Sequence, residues 1–192
     1  MPDPCHTGPV PSLFTLPEPA MTTAADLIHA LALAPHPEGG HYRETYRCTQ
    51  NVTRADGAAR SACTAIYYLL ESGQYSAWHR IASDELWHFY AGVPLDIHIV
   101  HQGTMTTQRL GHPAAAPDAV FQHVVPAGAW FAAELAPQTE APNTDALYSL
   151  AGCTVAPGFE FSEFELATAQ DLARAGAPDT SAVRRLLASS TP

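Results

Sequence analysis

The chain contains no lysine: all nine of its positive residues are arginines. That absence removes Schiff-base chemistry, pyridoxal anchoring and the phosphate-cradling lysine of a Walker loop together. Positive charge as a whole is scarce, with nine arginines against 19 acidic residues and a formal net charge of -10. A surface of that sign repels polyanions, which argues against sequence-independent binding to nucleic acid or to anionic membrane. Cysteine is sparse too: Cys5, Cys48, Cys63 and Cys153 show no C-x-x-C spacing of a zinc or redox motif. Cys48 and Cys63 could pair, but without a secretory leader all four are read as reduced thiols. No apolar run approaches the roughly 20 residues that span a membrane. The proline-rich start of the chain lacks the basic head and apolar stretch of a signal peptide. A cytoplasmic protein with a disordered tail over residues 1–22 is expected, with Met21 as a second candidate start.

What is present points to one globular unit. Hydrophobic residues make up 46% and charged residues 15% of 192 positions, too apolar for a disordered chain and long enough for a sizeable core. "TTAADLIHALALAPHPEGG" places Leu27, Ile28 and Leu31 at helical spacing behind Thr22 and Thr23 as candidate caps, and stops at Pro35, Pro37 and the Gly39-Gly40 turn. His29 and His36 are read as surface residues there. From Tyr42 to about Phe164 the texture changes to short β-branched and aromatic runs between turns. They are "YRETYRC", "ACTAIYYLL", "YSAWHRI", "ELWHFYA", "LDIHIV", "TMTTQRL", "AVFQHVV", "WFAAEL" and "LYSLAGCTVA". Such closely spaced strands predict an all-β sandwich or barrel. "RADGAAR", "GHPAAAPDA" and "APQTEAPNTD" are expected as exposed loops, and "TSAVRRLLASS" as a C-terminal helix presenting Val183, Leu186 and Leu187 on one face. The expected division is a tail over 1–22, a β domain over 23–170, and a C-terminal helix and tail over 171–192. No internal repeat is visible.

The segment "GQYSAWHRIASDELWHFYAG" spaces Gly73, His79, Ile81, Glu85 and Gly92, and "VVPAGAWFAAEL" gives Pro126-x-Gly128 followed by an aromatic pair. These two segments resemble the signature motifs of the cupin superfamily. Together with "PHPEGGHYRETYR" and "GCTVAPGFEFSEFELA" they resemble its cupin-5 branch, formerly a domain of unknown function, over roughly residues 23 to 170. The resemblance implies an all-β fold, the double-stranded β-helix or cupin jelly-roll barrel, here with short N- and C-terminal helices, and a homodimer that pairs sheets or exchanges an N-terminal strand. Strand alternation is consistent with it: His79 shares a face with Ile81, and Glu85 with Trp87 and Phe89. A turn at "ASD" makes the two strands a hairpin, so that His79 and Glu85 can point together into the barrel mouth. Trp78 and His88 fall in the opposite phase.

In metal-binding cupins two histidines and a glutamate of the first motif join a histidine of the second. Here His79 and Glu85 fill two of those places, Ile81 stands in the third, and Phe131 (or Trp130, if the register slips by one) in the fourth. Neither isoleucine nor phenylalanine ligates a metal, and one histidine with one carboxylate is a poor first shell. No cofactor is therefore expected, although His98 or His123 could complete a metal site. The remaining use of His79 and Glu85 is general acid/base catalysis, with burial beside Trp78, Trp87 and Trp130 raising the pKa of the glutamate. The expectation is a metal-independent epimerase, isomerase or cyclase acting on a small oxygenated molecule. A non-catalytic small-molecule-binding barrel, a metal-dependent oxygenase or lyase, and a purely structural His79–Glu85 pair are the competing readings. "HYRETYR" puts Arg43 and Arg47 in one strand phase and Tyr42, Glu44 and Tyr46 in the other. Glu44 and Tyr46 join Trp87, Phe89, His98 and Trp130 as expected substrate-binding residues. Cys153 is read as a small buried residue, and "GCTVAPGFEF" as a strand that turns at Pro157-Gly158 back into the sheet.

Overall fold

The computed structural model describes residues 23–55, 57–138 and 147–188. The tail expected over 1–22, Cys5, Met21, Thr22 and most of "APQTEAPNTD" lie outside those residues. Helix α1 (Ala24–Ala30) opens the fold, its start fixed by a capping box in which Thr23 and Asp26 satisfy each other's backbone N–H. Thirteen strands follow: β1 (Ala34–Pro35), β2 (His41–Arg47), β3 (Asn51–Thr53), β4 (Ala59–Ser61), β5 (Thr64–Glu71), β6 (Tyr75–Arg80), β7 (Asp84–Gly92), β8 (Leu95–His101), β9 (Thr104–Leu110), β10 (Gln122–Val125), β11 (Trp130–Leu135), β12 (Tyr148–Ala156) and β13 (Glu165–Leu166). All nine expected strands are present. The "RADGAAR" loop is the tip of a small extra hairpin, β3–β4.

The strands form two facing sheets, β1-β2-β5-β12-β7-β10 and β13-β6-β11-β8-β9, beside the β3–β4 ribbon. All pairings between these strands are antiparallel, the arrangement of a jelly-roll barrel. Alternation puts Tyr68, Leu70, Trp87, Leu95, Ile97, Ile99 and Phe131 between the sheets, each burial contributing about 1.5–3 kcal/mol. Two further clusters lie outside the barrel. Leu27 and Ile28 of α1, with Leu31 at its C-terminal cap, cover Leu69 and Leu150 on the six-stranded sheet.

On the five-stranded sheet, Trp78, Val100 and Trp130 are covered by Leu172, Val183 and Leu186. The C-terminal helix is in fact two: α2 (Ala169–Arg174), which straddles residue 170, and α3 (Ser181–Arg185), with Leu187 just beyond it. Among the described residues no helix is long and apolar enough to cross a membrane. Cys48, Cys63 and Cys153 are free thiols.

Candidate functional site

One end of the barrel holds a cavity of about 110 Å³ whose walls come from both sheets. Inward positions of β5 supply Thr64, Ile66 and Tyr68, β12 supplies Cys153 and Val155, β7 supplies Glu85, and β6 supplies His79 with Ile81 just after it. In β2 the register shifts between Glu44 and Tyr46, and this bulge turns the alternation over. Tyr42 and Glu44 face the cavity before it and Arg47, opposite Thr64, faces it afterwards. Tyr46 is consequently outside, half exposed at 52%, and is not a cavity residue.

The floor is built around a glutamate that strand periodicity does not reveal. Glu38 sits in the connection between β1 and β2, buried, with Ser76 Oγ donating to its Oε1 at 2.8 Å. The turn that places it needs glycine. Gly39 has φ of +113° and a side chain there would meet Tyr75 O at 2.2 Å; Gly40 has φ of +70°. His79 Nε2 lies 3.1 Å from Glu38 Oε2, while His79 Nδ1 lies 2.7 Å from Ala77 O. A carbonyl can only accept, so Nδ1 carries a proton and Nε2 is left to share one proton with Glu38. The partner of His79 is therefore Glu38 rather than Glu85.

Electrostatics favour the uncharged form of this pair. Burial pushes His79 down to about 4, against a weaker upward pull from the Ala77 carbonyl. Burial likewise raises Glu38, more than His36 and Ser76 lower it. Glu85, buried on the same cavity, is pushed up to about 8, first by burial and then by the nearby Glu38 carboxyl. Cys153 beside Glu85 is driven well above the usual thiol range by burial and by that carboxyl, which disfavours a nucleophilic thiolate.

His36, expected on the surface, lines the cavity instead. It accepts from the Glu38 backbone N–H at 3.3 Å, and its ring meets Tyr42 edge-on at 4.5 Å.

The cover over the cavity comes from the segment after β12. It does not turn back into its own sheet but crosses to the other one, where β13 pairs with β6. In "FEFSEFE" phenylalanines and glutamates are interleaved: Phe159, Phe161 and Phe164 line the cavity, while each glutamate takes an arginine of the barrel wall. Arg47 pairs with Glu160 at 2.9 Å, Arg54 and Arg60 with Glu163, and Arg80 with Glu165 at 2.7 Å. The aromatic lining thus consists of these phenylalanines with Tyr42 and Tyr68.

The expected tryptophan lining is not found. Trp87 is central core, edge-on to Tyr68 at 5.6 Å, because Glu85 and not Trp87 reaches the open end of β7. Phe89, two residues further along the strand, packs against the same core. Trp130 is on the outer face under the C-terminal helices, with Arg80 4.5 Å above its ring. Its neighbour Phe131 faces inward, 4.0 Å from the His79 ring. His98 is also on the outer face, bonded to Thr107 and to Glu134 at 3.0 Å. His88 is bonded outside the cavity to Thr154 at 3.1 Å, and His123 does not line the cavity. Of the expected residues, His79, Glu85 and Glu44 come together; the sequence reading missed Glu38, His36, Tyr68, Arg47 and the three phenylalanines. The usable signals were "PHPEGG", an acid held next to two glycines, and the Phe/Glu interleaving of "FEFSEFE".

The donor set does not fit the metal that many cupins hold. Ile81 and Phe131 stand against His79 where further ligands would be needed. Among the described residues no three His, Cys, Asp or Glu side chains are grouped to hold an ion.

Two solved structures are similar over nearly their whole lengths. A hypothetical protein from Leishmania major is 31% identical with a TM-score of 0.77, covering 86% of this chain and 99% of that one. A protein from Shewanella oneidensis is 34% identical with a TM-score of 0.73, covering 87% and 98%. No curated protein matches the chain. The family model Cupin_5, described as Cupin superfamily (DUF985), matches residues 25–167. With the jelly-roll barrel and its end cavity, that match places the chain in the Cupin_5 family of the cupin superfamily.

Proposed function

We propose that the chain is a metal-independent isomerase or epimerase that moves a proton beside a carbonyl of a small oxygenated molecule. One observation carries this reading. A histidine whose Nδ1 is committed to a carbonyl shares a proton with Glu38, and a second buried carboxyl, Glu85, faces the same cavity. A proton shift through an enol needs one group to take a proton from carbon and another to give one to oxygen. Glu85, held at about 8, is ionised in part at neutral pH and is then a stronger base than an ordinary carboxylate. The Glu38–His79 pair holds the proton to be given, and reprotonation of carbon on a neighbouring atom or the opposite face completes the turnover.

The test is solvent exchange. Acetophenone, dihydroxyacetone and D-fructose are incubated in D2O with the protein, and deuterium at the carbon beside the carbonyl is followed by NMR. Exchange is expected with at least one ketone, rising with pH to a plateau above about 8 as Glu85 ionises, and falling by about 100-fold in Glu85→Gln and His79→Asn. No exchange above buffer, or exchange unchanged in both variants, overturns the reading and favours a binding barrel without chemistry.

A homodimer through the outer face of the six-stranded sheet is part of the same proposal. Tyr46, Tyr90 and Val124, spread over β2, β7 and β10, stand 52%, 52% and 46% exposed on that side, large apolar side chains that a partner's face would cover. Sedimentation velocity of the full chain checks it: a single monomer species at micromolar concentration would refute it.

A further inference from the structure

We infer that the ligand of the barrel cavity is uncharged: a ring compound bearing a carbonyl or hydroxyl oxygen, without phosphate, carboxylate or ammonium groups. The choice of a carbonyl compound rests on the proton-transfer reading above, whereas the charge rests on the geometry of the lining.

An anion has no free cation to meet. The chain has no lysine, and Arg47 is the arginine that lines the cavity. Its guanidinium is already forked onto Glu44, with Nε to Oε1 at 3.0 Å and Nη2 to Oε2 at 2.8 Å. It also donates to Glu160 at 2.9 Å and to the Phe159 carbonyl at 3.1 Å. A phosphate or carboxylate would have to prise Arg47 from both acids and then lie beside the two it had bared. The other arginines at the cover, Arg54, Arg60 and Arg80, are each paired to Glu163 or Glu165.

A cation would gain less over the aromatic faces than its desolvation costs without a free carboxylate beside it. Glu44 is held in the Arg47 fork, and Glu38 is engaged by Ser76 and His79. Glu85 forms no ion pair among the described residues, and burial holds its proton up to about pH 8. What the cavity offers a ligand is aromatic surface and neutral hydrogen-bonding groups. Phe161, 51% exposed at the mouth, is edge-on to Phe159 at 4.9 Å and stacked toward the His36 ring at 6.0 Å, and a flat ring extends such an aromatic stack without carrying charge.

A matched trio of one-ring ketones tests this: acetophenone, 4-acetylbenzoate and 4-acetyl-N,N,N-trimethylanilinium, titrated at pH 7 against the full chain by ligand-observed NMR. Acetophenone is expected to bind at least about tenfold more tightly than either charged analogue. Phe161→Ala, at a half-exposed position, should weaken acetophenone by about threefold or more while the thermal unfolding midpoint stays within a few degrees of the wild-type chain. The inference is overturned if either charged ketone binds as tightly as acetophenone or if acetophenone does not bind at about 10 mM. Unchanged affinity in Phe161→Ala overturns it as well. Proton exchange in D2O is read separately: tight, selective binding of acetophenone with no exchange of acetophenone, dihydroxyacetone or D-fructose sinks the proton-transfer reading and leaves the charge inference standing.

Discussion

Two histidine–glutamate pairs of nearly equal length lie on opposite faces of the five-stranded sheet. His79 and Glu38 meet at 3.1 Å inside the barrel, and His98 and Glu134 meet at 3.0 Å outside it. Their electrostatics diverge because of what else is within reach. Burial pushes Glu134 up, but hydrogen bonds from His98 and Arg185 outweigh it and bring the carboxyl down to about 2. Both Arg185 nitrogens reach that carboxylate, tying α3 to β11. Among the described residues no arginine pairs with Glu38, so desolvation wins and the carboxyl is raised. Outside the barrel, Arg185 keeps the Glu134 carboxylate charged, whereas inside it burial favours the protonated Glu38 carboxyl beside His79. A cation decides which of the two a His–Glu contact becomes.

The comparison can be broken most forcefully with pH. Glu85, near Glu38, has a folded value of about 8 against 4.5 for an ordinary glutamate. The folded chain therefore keeps a proton that the unfolded chain loses, and stability falls as pH rises through that window. His79 works the other way, with a folded value of about 4 against 6.5, so its effect is complete by pH 6.5. Between pH 6.5 and 8 the glutamate acts unopposed by His79, and urea denaturation should show a loss of about 2 kcal/mol, largely abolished in Glu85→Gln. A flat profile in the wild-type chain would mean that the carboxyl is not held protonated.

Arg185→Gln should have a smaller effect, because the arginine is half exposed and its ion pair is partly screened. About 1 kcal/mol of stability is expected to go, while ketone exchange in the barrel stays unchanged. A change in exchange rate without loss of stability would mean that the outer pair communicates with the cavity.

The difference between the two pairs also marks how far local pattern reaches. Alternation located all nine long strands, and it separated His79 and Glu85 from Trp78 and His88, because period-two burial is a property of each strand by itself. It failed wherever one residue changed the phase. The bulge between Glu44 and Tyr46 exchanged Tyr46 for Arg47, whereas on β11 the phase held, with Phe131 inward against His79 and Trp130, expected to bind substrate, on the outer face. Position along the strand was equally hidden: Glu85, Trp87 and Phe89 share a face, yet Glu85 alone of the three lines the cavity.

Glu38 and His36 belong to no strand, so periodicity carried no information about them. Their place depends on Gly39 and Gly40 passing against the backbone of Tyr75 and Leu69. The acids of "FEFSEFE" meet arginines from three distant segments, pairings that no local pattern encodes.

Composition and strand pattern by themselves determined a lysine-free, acidic, all-β sandwich or barrel with His79 and Glu85 in phases that can point together, and only the resemblance of its motifs narrowed this to a cupin jelly-roll. Charge, strand content and phase follow from residue type and from a repeat two residues long. Only the tertiary structure decided that His79 answers to Glu38, that phenylalanines rather than tryptophans line the cavity, and that every arginine near its cover is already engaged. Those are contacts between segments up to 113 residues apart, set by one bulge, one glycine turn and one strand crossing, which no local repeat encodes.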